Sequence, residues 1–277
     1  MGPQPDGEGG PEAEPARGPG APGPTAPGGL AARLAAAGFL AAEEEAEALT
    51  TAAGDDDRRL EELLSRRLRG EPLAWIVGHI LFAGHRVTVT PGVYVPRPHT
   101  ETVAARAVLR LPADGVAVDA CTGSGAVALA LSRARPAARV VATDVDPSAV
   151  ACARANGIDA RVGDLLAPVP AELAGGVDVV VAVVPYVPTP ALPLLQRDTF
   201  RFETPLAYDG GPDGARLLRR LAIEARALLR PGGHLVAELG GDQAEVVVAE
   251  WSALGYRRAT VLADDDGDLR AVEARWG

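Results

Sequence analysis

The stretch Val116 to Thr143, VAVDACTGSGAVALALSRARPAARVVAT, limits the folds open to this chain more than any other. A short apolar run, Val116 to Val118, leads to Asp119; the chain then breaks into Thr122-Gly123-Ser124-Gly125 and resumes as an apolar helical pattern through Leu131. That is strand, glycine turn, helix. Glycines admit positive φ and let a ligand approach without a Cβ in the way, and the helix that follows starts with unpaired N–H groups. A second apolar run, Val140 to Ala142, leads to Asp144. In nucleotide-type sites an acid about twenty residues past the glycines accepts hydrogen bonds from the ribose hydroxyls.

The same rhythm continues towards the C-terminus. Strands are expected over 116–119, 139–143, 160–163 and 177–184, with helices over 125–134 and 147–156 between them. After a long loop come a helix over 213–229, a strand over 234–238, a helix over 242–253 and two strand-like runs over 257–262 and 269–275. Such alternation implies an α/β fold with a mostly parallel sheet, helices on both faces and ligands at the carboxyl ends of the strands. Asp119, Asp144, Gly163-Asp164 and Pro185-Tyr186 would then share one rim.

The chain before this region is of a different kind. Residues 1–29 alternate Pro and Gly with few apolar side chains, which cannot offset the entropy of ordering, so a disordered leader is expected. From Leu30 to Leu68 leucines recur at helical spacing, with Gly54 as a break, so residues 30–75 read as a small helical subdomain. Its arginines, Arg58, Arg59, Arg66, Arg67 and Arg69, read as a solvated face before a partner-facing stripe. Residues 76–98 read as a β-hairpin, turning at Gly84-His85, that runs into a proline-bounded linker. His79 and His85 are isolated and read as turn or surface residues. A helix start is expected at Pro98 to Thr102, flanked by Arg97 and Glu101. Residues 99–277 make the main domain.

Composition removes several classes of function. A formal net charge of −10 leaves no basic footprint of the kind nucleic-acid binding relies on. There is no apolar span of membrane length and no secretory pattern at the start, so a cytoplasmic protein is expected. Cys121 and Cys152 fit neither a disulfide framework nor a zinc spacing, and no metal site is expected. The absence of lysine reads as a coding bias of a GC-rich genome.

Asp119 at the end of the first strand, the glycine turn, and the acid ending the second strand resemble class I S-adenosylmethionine methyltransferases. Three further stretches resemble one family within them, the HemK-type protein-glutamine N5-methyltransferases that modify peptide chain release factors. GEPLAWIVG with VTPGVYVPRPHTE resembles that family's linker and its Pro-Arg-Pro-x-Thr-Glu signature. PLAYDGGPDGARLLRRL resembles its Asp-Gly-Gly segment, and PGGHLVAELGGDQ the strand that follows. The resemblance implies a Rossmann-like methyltransferase sheet with S-adenosylmethionine as cofactor and a release factor as substrate, acting as a monomer with no direct nucleic-acid contact. It also implies that Asp119 and the turn Cys121, Thr122, Gly123, Ser124 and Gly125 wrap the methionine end of the cofactor. Asp144 holds the ribose, and Asp164 and Leu165 lie beside the adenine. Plainer roles stay open: Asp119 tying down the turn, Asp164 capping a loop, Leu165 filling the core. Cys121 stands where the family usually has glycine, which requires a backbone conformation that tolerates its Cβ.

One signature departs from the pattern. The family's fourth strand ends Asn-Pro-Pro-Tyr, and the aligned residues here are Val183, Val184, Pro185 and Tyr186. An amide nitrogen is a poor nucleophile, and it is aimed when both of its N–H groups are accepted, one by the asparagine side chain and one by the next backbone carbonyl. Val183 supplies no acceptor; Val184 keeps its carbonyl, and Tyr186 can lie against the planar amide. Losing one preorganised hydrogen bond costs about a hundredfold to a thousandfold in rate. The sequence therefore leaves open slow glutamine methylation, another acceptor, or a cofactor-binding protein without catalysis, unless Gln196, Glu203 or a water replaces the lost group; exposed loop polars are the commoner reading of both residues. Val183→Asn is expected to raise glutamine methylation at unchanged cofactor affinity. An NAD-dependent oxidoreductase is disfavoured by the missing third glycine.

Overall fold

The computed structural model describes Gly2 and residues 27–195, 202–240, 243–264 and 266–277. Gln196 and nearly all of the leader, whose disorder was an expectation above, lie outside the described residues. The chain divides into two compact units, Met1–Leu64 and Ser65–Gly277. In the first, α1 (Pro27–Ala36), α2 (Ala42–Ala53) and most of α3 (Asp57–Leu68) carry the helical leucines, with Leu34, Leu49 and Leu64 fully buried. Gly54, at a φ of 63°, stops α2 where the sequence placed a break. Arg33 on α1 forks onto Glu61 on α3 at 2.7 and 2.6 Å, and Arg58 reaches Glu62 at 3.2 Å, so these arginines meet acids of their own unit.

The second unit opens with the end of α3, then α4 (Leu73–Val77) and a two-stranded antiparallel hairpin of β1 (His79–Phe82) and β2 (His85–Thr88). The hairpin turns at Ala83-Gly84, with φ of 48° and 75°, the two-residue loop whose twist matches its strands. That is one residue earlier than expected, because Ala83 itself takes the left-handed conformation; His85 is thus a strand residue opposite Phe82. Asn156, the chain's single asparagine, clamps the end of β2. Its Oδ1 accepts the Thr88 N–H and its Nδ2 donates to the Thr88 carbonyl, both at 2.9 Å, and to the Ser124 carbonyl at 2.8 Å. Trp75 donates to the Val93 carbonyl at 2.9 Å. The linker is thereby fixed beside the glycine turn.

After α5 (Thr100–Arg110) the α/β alternation begins: β3 (Val116–Ala120), α6 (Ala126–Ala134), β4 (Arg139–Asp144), α7 (Pro147–Ala155), β5 (Asp159–Val162) and β6 (Val177–Ala182). It continues with α8 (Arg216–Leu228), β7 (Leu229–Glu238), α9 (Ala244–Ala253), β8 (Tyr256–Ala263) and β9 (Leu269–Trp276). Among the described residues seven strands form one sheet in the order β5-β4-β3-β6-β7-β9-β8, in which β9 runs against the direction of the other six. Along β6, Val179 and Val181 enter an apolar core with Val103 and Leu131, while Val180 and Ala182 enter a second with Leu218 and Leu221. That alternation is what a strand buried on both faces produces. The connections run one way from β3 to β4 and β5 and the other way from β6 to β7, so a crevice opens at the carboxyl ends of β3 and β6.

Several boundaries differ from expectation: α8 starts at Arg216 and not at 213, α9 at Ala244 and not at 242, and β3 runs on to Ala120. β6 ends at Ala182, and Val183 and Val184 leave the ladder although they prolong the apolar run. β7 starts at Leu229 because the Pro231-Gly232-Gly233 stretch, which reads as a turn, is drawn into the strand across a register shift against β6. Arg106 and Arg110 on α5 both reach Glu273 on β9, fixing that helix to the sheet.

Candidate active site

A cavity of about 490 Å³ lies at the carboxyl ends of the parallel strands, within the range of small-molecule sites. The turn residues Cys121, Thr122, Gly123 and Ser124 line it together with Asp119, Asp144, Asp164, Leu165, Val183, Val184, Pro185 and Tyr186. Gly125 does not. At a φ of 82°, a Cβ there would stand 3.0 Å from that of Ala153, so this glycine lets α6 pack on α7. Gly123, at a φ of 56°, has open space where a Cβ would be. Cys121 instead keeps the left-handed backbone that glycine favours, at a φ of 56°, so its Cβ is carried at some strain and not relieved by a changed conformation. Burial, with the charges of Asp144 and Asp119, pushes its thiol up, so it stays neutral.

Asp119 is fully buried, and its Oδ2 accepts the Thr122 hydroxyl at 2.6 Å and the Ala128 N–H at 3.1 Å. It ties strand, turn and helix together while still bordering the cavity. Burial raises its pKa to about 7, partly offset by those two hydrogen bonds. Asp144 accepts the Gly123 N–H at 2.9 Å on one oxygen and the Asp146 N–H at 3.0 Å on the other, which leaves lone pairs on both for a ligand. Burial raises its pKa as well. Asp164 pairs with Arg220 at 2.9 Å, and the Leu165 carbonyl accepts the Thr143 hydroxyl at 2.6 Å. The Ser124 hydroxyl is buried against the cavity with no hydrogen-bond partner.

The opposite wall is held by the Asp-Gly-Gly segment. Val187 and Asp209 form a parallel bridge, with the Val187 N–H donating to the Tyr208 carbonyl and the Gly210 N–H to the Val187 carbonyl, each at 2.9 Å. Gln243 donates to the Tyr186 carbonyl at 2.7 Å and accepts the Gly240 N–H at 3.1 Å. Tyr186, four residues past the end of β6, is thus fixed from both sides. Burial, followed by the Glu238 charge, drives the Tyr186 phenol well above its ordinary range, so it is a neutral surface and not a base.

Glu203 is placed differently from the exposed loop polar its position suggests. It is buried, and one oxygen accepts the Val95 N–H at 2.8 Å. The other accepts Arg97 at 2.7 Å and the Tyr208 hydroxyl. Both oxygens are engaged and Glu203 does not line the cavity, so it does not replace the missing asparagine. Its work is to hold the linker onto the loop before the Asp-Gly-Gly segment. Glu203→Ala is expected to lower the unfolding free energy by about 3 kcal/mol by stranding Arg97 and the Val95 N–H, read as a lower urea midpoint. Sequence reasoning missed three residues of this wall, Tyr94, Thr100 and Glu238. The first two line the cavity, and the third lies fully buried behind it at the end of β7.

No family model matches the chain. Individual proteins do. The release factor glutamine methyltransferase of Moorella thermoacetica is 43% identical over 228 residues, covering 78% of this chain and 79% of that protein. The chain belongs to the release factor glutamine methyltransferase family. The Geobacter sulfurreducens release factor glutamine methyltransferase is 37% identical, with 78% and 77% covered. The 4-amino-L-phenylalanine/4-methylamino-L-phenylalanine methyltransferase of Streptomyces pristinaespiralis is 39% identical, with 77% of each chain covered. Among the described residues no helix is long and apolar enough to cross a membrane, and no cluster of His, Cys, Asp and Glu could hold a metal ion.

Proposed function

We propose that this protein transfers a methyl group from S-adenosylmethionine to the side-chain amide nitrogen of a glutamine in the Gly-Gly-Gln loop of a peptide chain release factor. Family membership supports the reaction class, and the cavity at the β3/β6 switch point is the observation that carries the reading. The residues present suit the cofactor. Asp144 has spare lone pairs for two ribose hydroxyls, and Ser124 offers an unused hydroxyl. Gly123 leaves room for the methionine end, and Asp164 and Leu165 border the space an adenine needs. When bound, the cofactor supplies an electrophilic methyl on a sulfonium. The protein's own task is placement. The Val184 carbonyl accepts one amide N–H, Tyr186 lies against the amide plane, and the neutral phenol and thiol leave the step without a strong base. Residues 30–75 recognise the release factor, and the enzyme works as a cytoplasmic monomer. The test is transfer of labelled methyl to release factor, with 4-amino-L-phenylalanine as a control acceptor expected to stay unmodified.

Asp119 gives this reading a pH signature. An acid whose folded pKa of about 7 lies above its unfolded value keeps its proton in the folded state after losing it in the unfolded one. The free protein is therefore expected to lose stability as pH rises from about 4 to about 7. A sulfonium cation favours the ionised acid, so its binding expels that proton. Asp144, Asp164 and Arg220 also face the cavity, and Asp144, whose charge helps raise Asp119, shares in the response to the cation. Affinity for S-adenosylmethionine is expected to tighten about tenfold between about pH 6 and about pH 8, with that of the thioether product changing much less. Equal pH dependence of the two in calorimetric titrations would remove Asp119 from cofactor binding.

A further inference from the structure

We propose that the hydroxyl of Thr100, locked by Glu238, accepts the substrate amide N–H in the position that Val183 leaves without an acceptor. This rests on the glutamine-methylating reading and deepens it. The last paired residues of β6 and β7 are Ala182 and Ala237, so Val183 and Glu238 follow side by side at the rim. Val183 packs with the core that holds Val181, Val236 and Val103, which places it on the α5 side of the sheet. Thr100 begins α5, lines the cavity, is 4% exposed and donates its hydroxyl proton to Glu238 Oε2 at 2.7 Å. Thr100 and Val183 therefore flank the same carboxylate.

The chemistry follows from which proton is committed. A free threonine hydroxyl can donate or accept, and in a substrate site that ambiguity weakens orientation. Here its only proton is bound to a fully buried carboxylate, so what Thr100 can offer the cavity is lone pairs alone. That is the property the side-chain carbonyl of an asparagine would bring. The Tyr186 phenol also reaches Glu238, and His99 Nε2 stands 3.3 Å from its Oε1, so the carboxylate is held in place from several sides. In the transfer, the nitrogen pair forms the bond to the methyl carbon while the S–C pair returns to sulfur, leaving a neutral thioether. The nitrogen then sheds one proton. That proton, strongly acidic on the alkylated amide, goes to water as the product leaves, so the wall supplies acceptors and no base. Thr100 touches the substrate; Glu238 is a positioning residue acting through it.

The test compares wild type, Thr100→Val, Val183→Asn and the double variant on a release factor carrying the Gly-Gly-Gln loop, with cofactor affinity and melting temperature measured on each. Thr100→Val is expected to lower kcat about a hundredfold with cofactor Kd unchanged within about twofold. Val183→Asn alone is expected to raise kcat by less than about tenfold, since the acceptor position is already served, and to bring the double variant back to within about tenfold of wild type. Glu238→Gln should lose turnover and recover it with Val183→Asn in the same way. A Thr100→Val enzyme as fast as wild type overturns the proposal, as does a double variant as slow as Thr100→Val. A wild-type enzyme that leaves the glutamine untouched at saturating cofactor fails earlier, at the function itself, and takes this proposal with it.

Discussion

Asp144→Ala is expected to weaken S-adenosylmethionine binding by about a hundredfold to ten-thousandfold while leaving the protein folded. The carboxylate ends β4, and each oxygen already takes one backbone N–H, from Gly123 and from Asp146. Those bonds aim the remaining lone pairs into the cavity before any ligand arrives. Two ribose hydroxyls donating to an ionised acceptor are worth about 1.5–3 kcal/mol each, which is the source of the expected loss. The Gly123 contact is part of the effect, because without its acceptor the turn loses one of the ties that hold it at positive φ. Asp144→Asn separates the two contributions. It keeps one acceptor oxygen and the side-chain shape, so its affinity should lie between alanine and wild type. Calorimetric titration gives the affinities, and a melting temperature close to wild type for both variants shows that the sheet is intact.

The second large effect is at Gly214, which touches no ligand. Its φ is 75°, and a Cβ there would stand 2.2 Å from both the Tyr186 carbonyl oxygen and Gln243 Nε2. Neither can yield cheaply, because the Tyr186 carbonyl is the anchor Gln243 holds at 2.7 Å. Gly214→Ala is therefore expected to push Tyr186 and the segment that follows β6 out of place and lower kcat/KM at least about a hundredfold, the effect a misplacement of about 1 Å has at a reacting centre. The backbone strain costs about 1–3 kcal/mol, visible as a modest fall in melting temperature. Cofactor affinity should change only a few-fold, because Gly214 does not border the cavity. A variant that loses cofactor binding and turnover in equal measure would place the damage elsewhere.

The parts of this protein that were legible in its sequence are those in which neighbours along the chain are also neighbours in function. The strand, turn and helix around Asp119 read directly, because the apolar run, the glycines and the helical periodicity are consecutive; the positive φ of Cys121 did not, because a side chain in place of glycine points to backbone that suits a Cβ. The acids ending β3 and β4 read equally well, since a parallel sheet delivers every strand end to one rim. The hairpin turn was misplaced by one residue because alanine does not announce a left-handed conformation. The end of β6 was overrun because valine, good in strands, gives no signal that the ladder has stopped. Glu203 looked like an exposed loop acid because its partners, Val95, Arg97 and Tyr208, lie on two distant segments. The Thr100–Glu238 pair was beyond reach for the same reason: 138 residues separate them, and only the place of β7 beside β6 brings the carboxylate to the rim.

Incubation of the protein with labelled S-adenosylmethionine and a peptide chain release factor, followed by mass analysis of the Gly-Gly-Gln peptide, tests the central claim most directly. One added methyl on the glutamine side-chain amide, abolished by Asp144→Ala and by Gly214→Ala, is the expected result. An unmodified glutamine with the cofactor site saturated, or label on another residue, would contradict it.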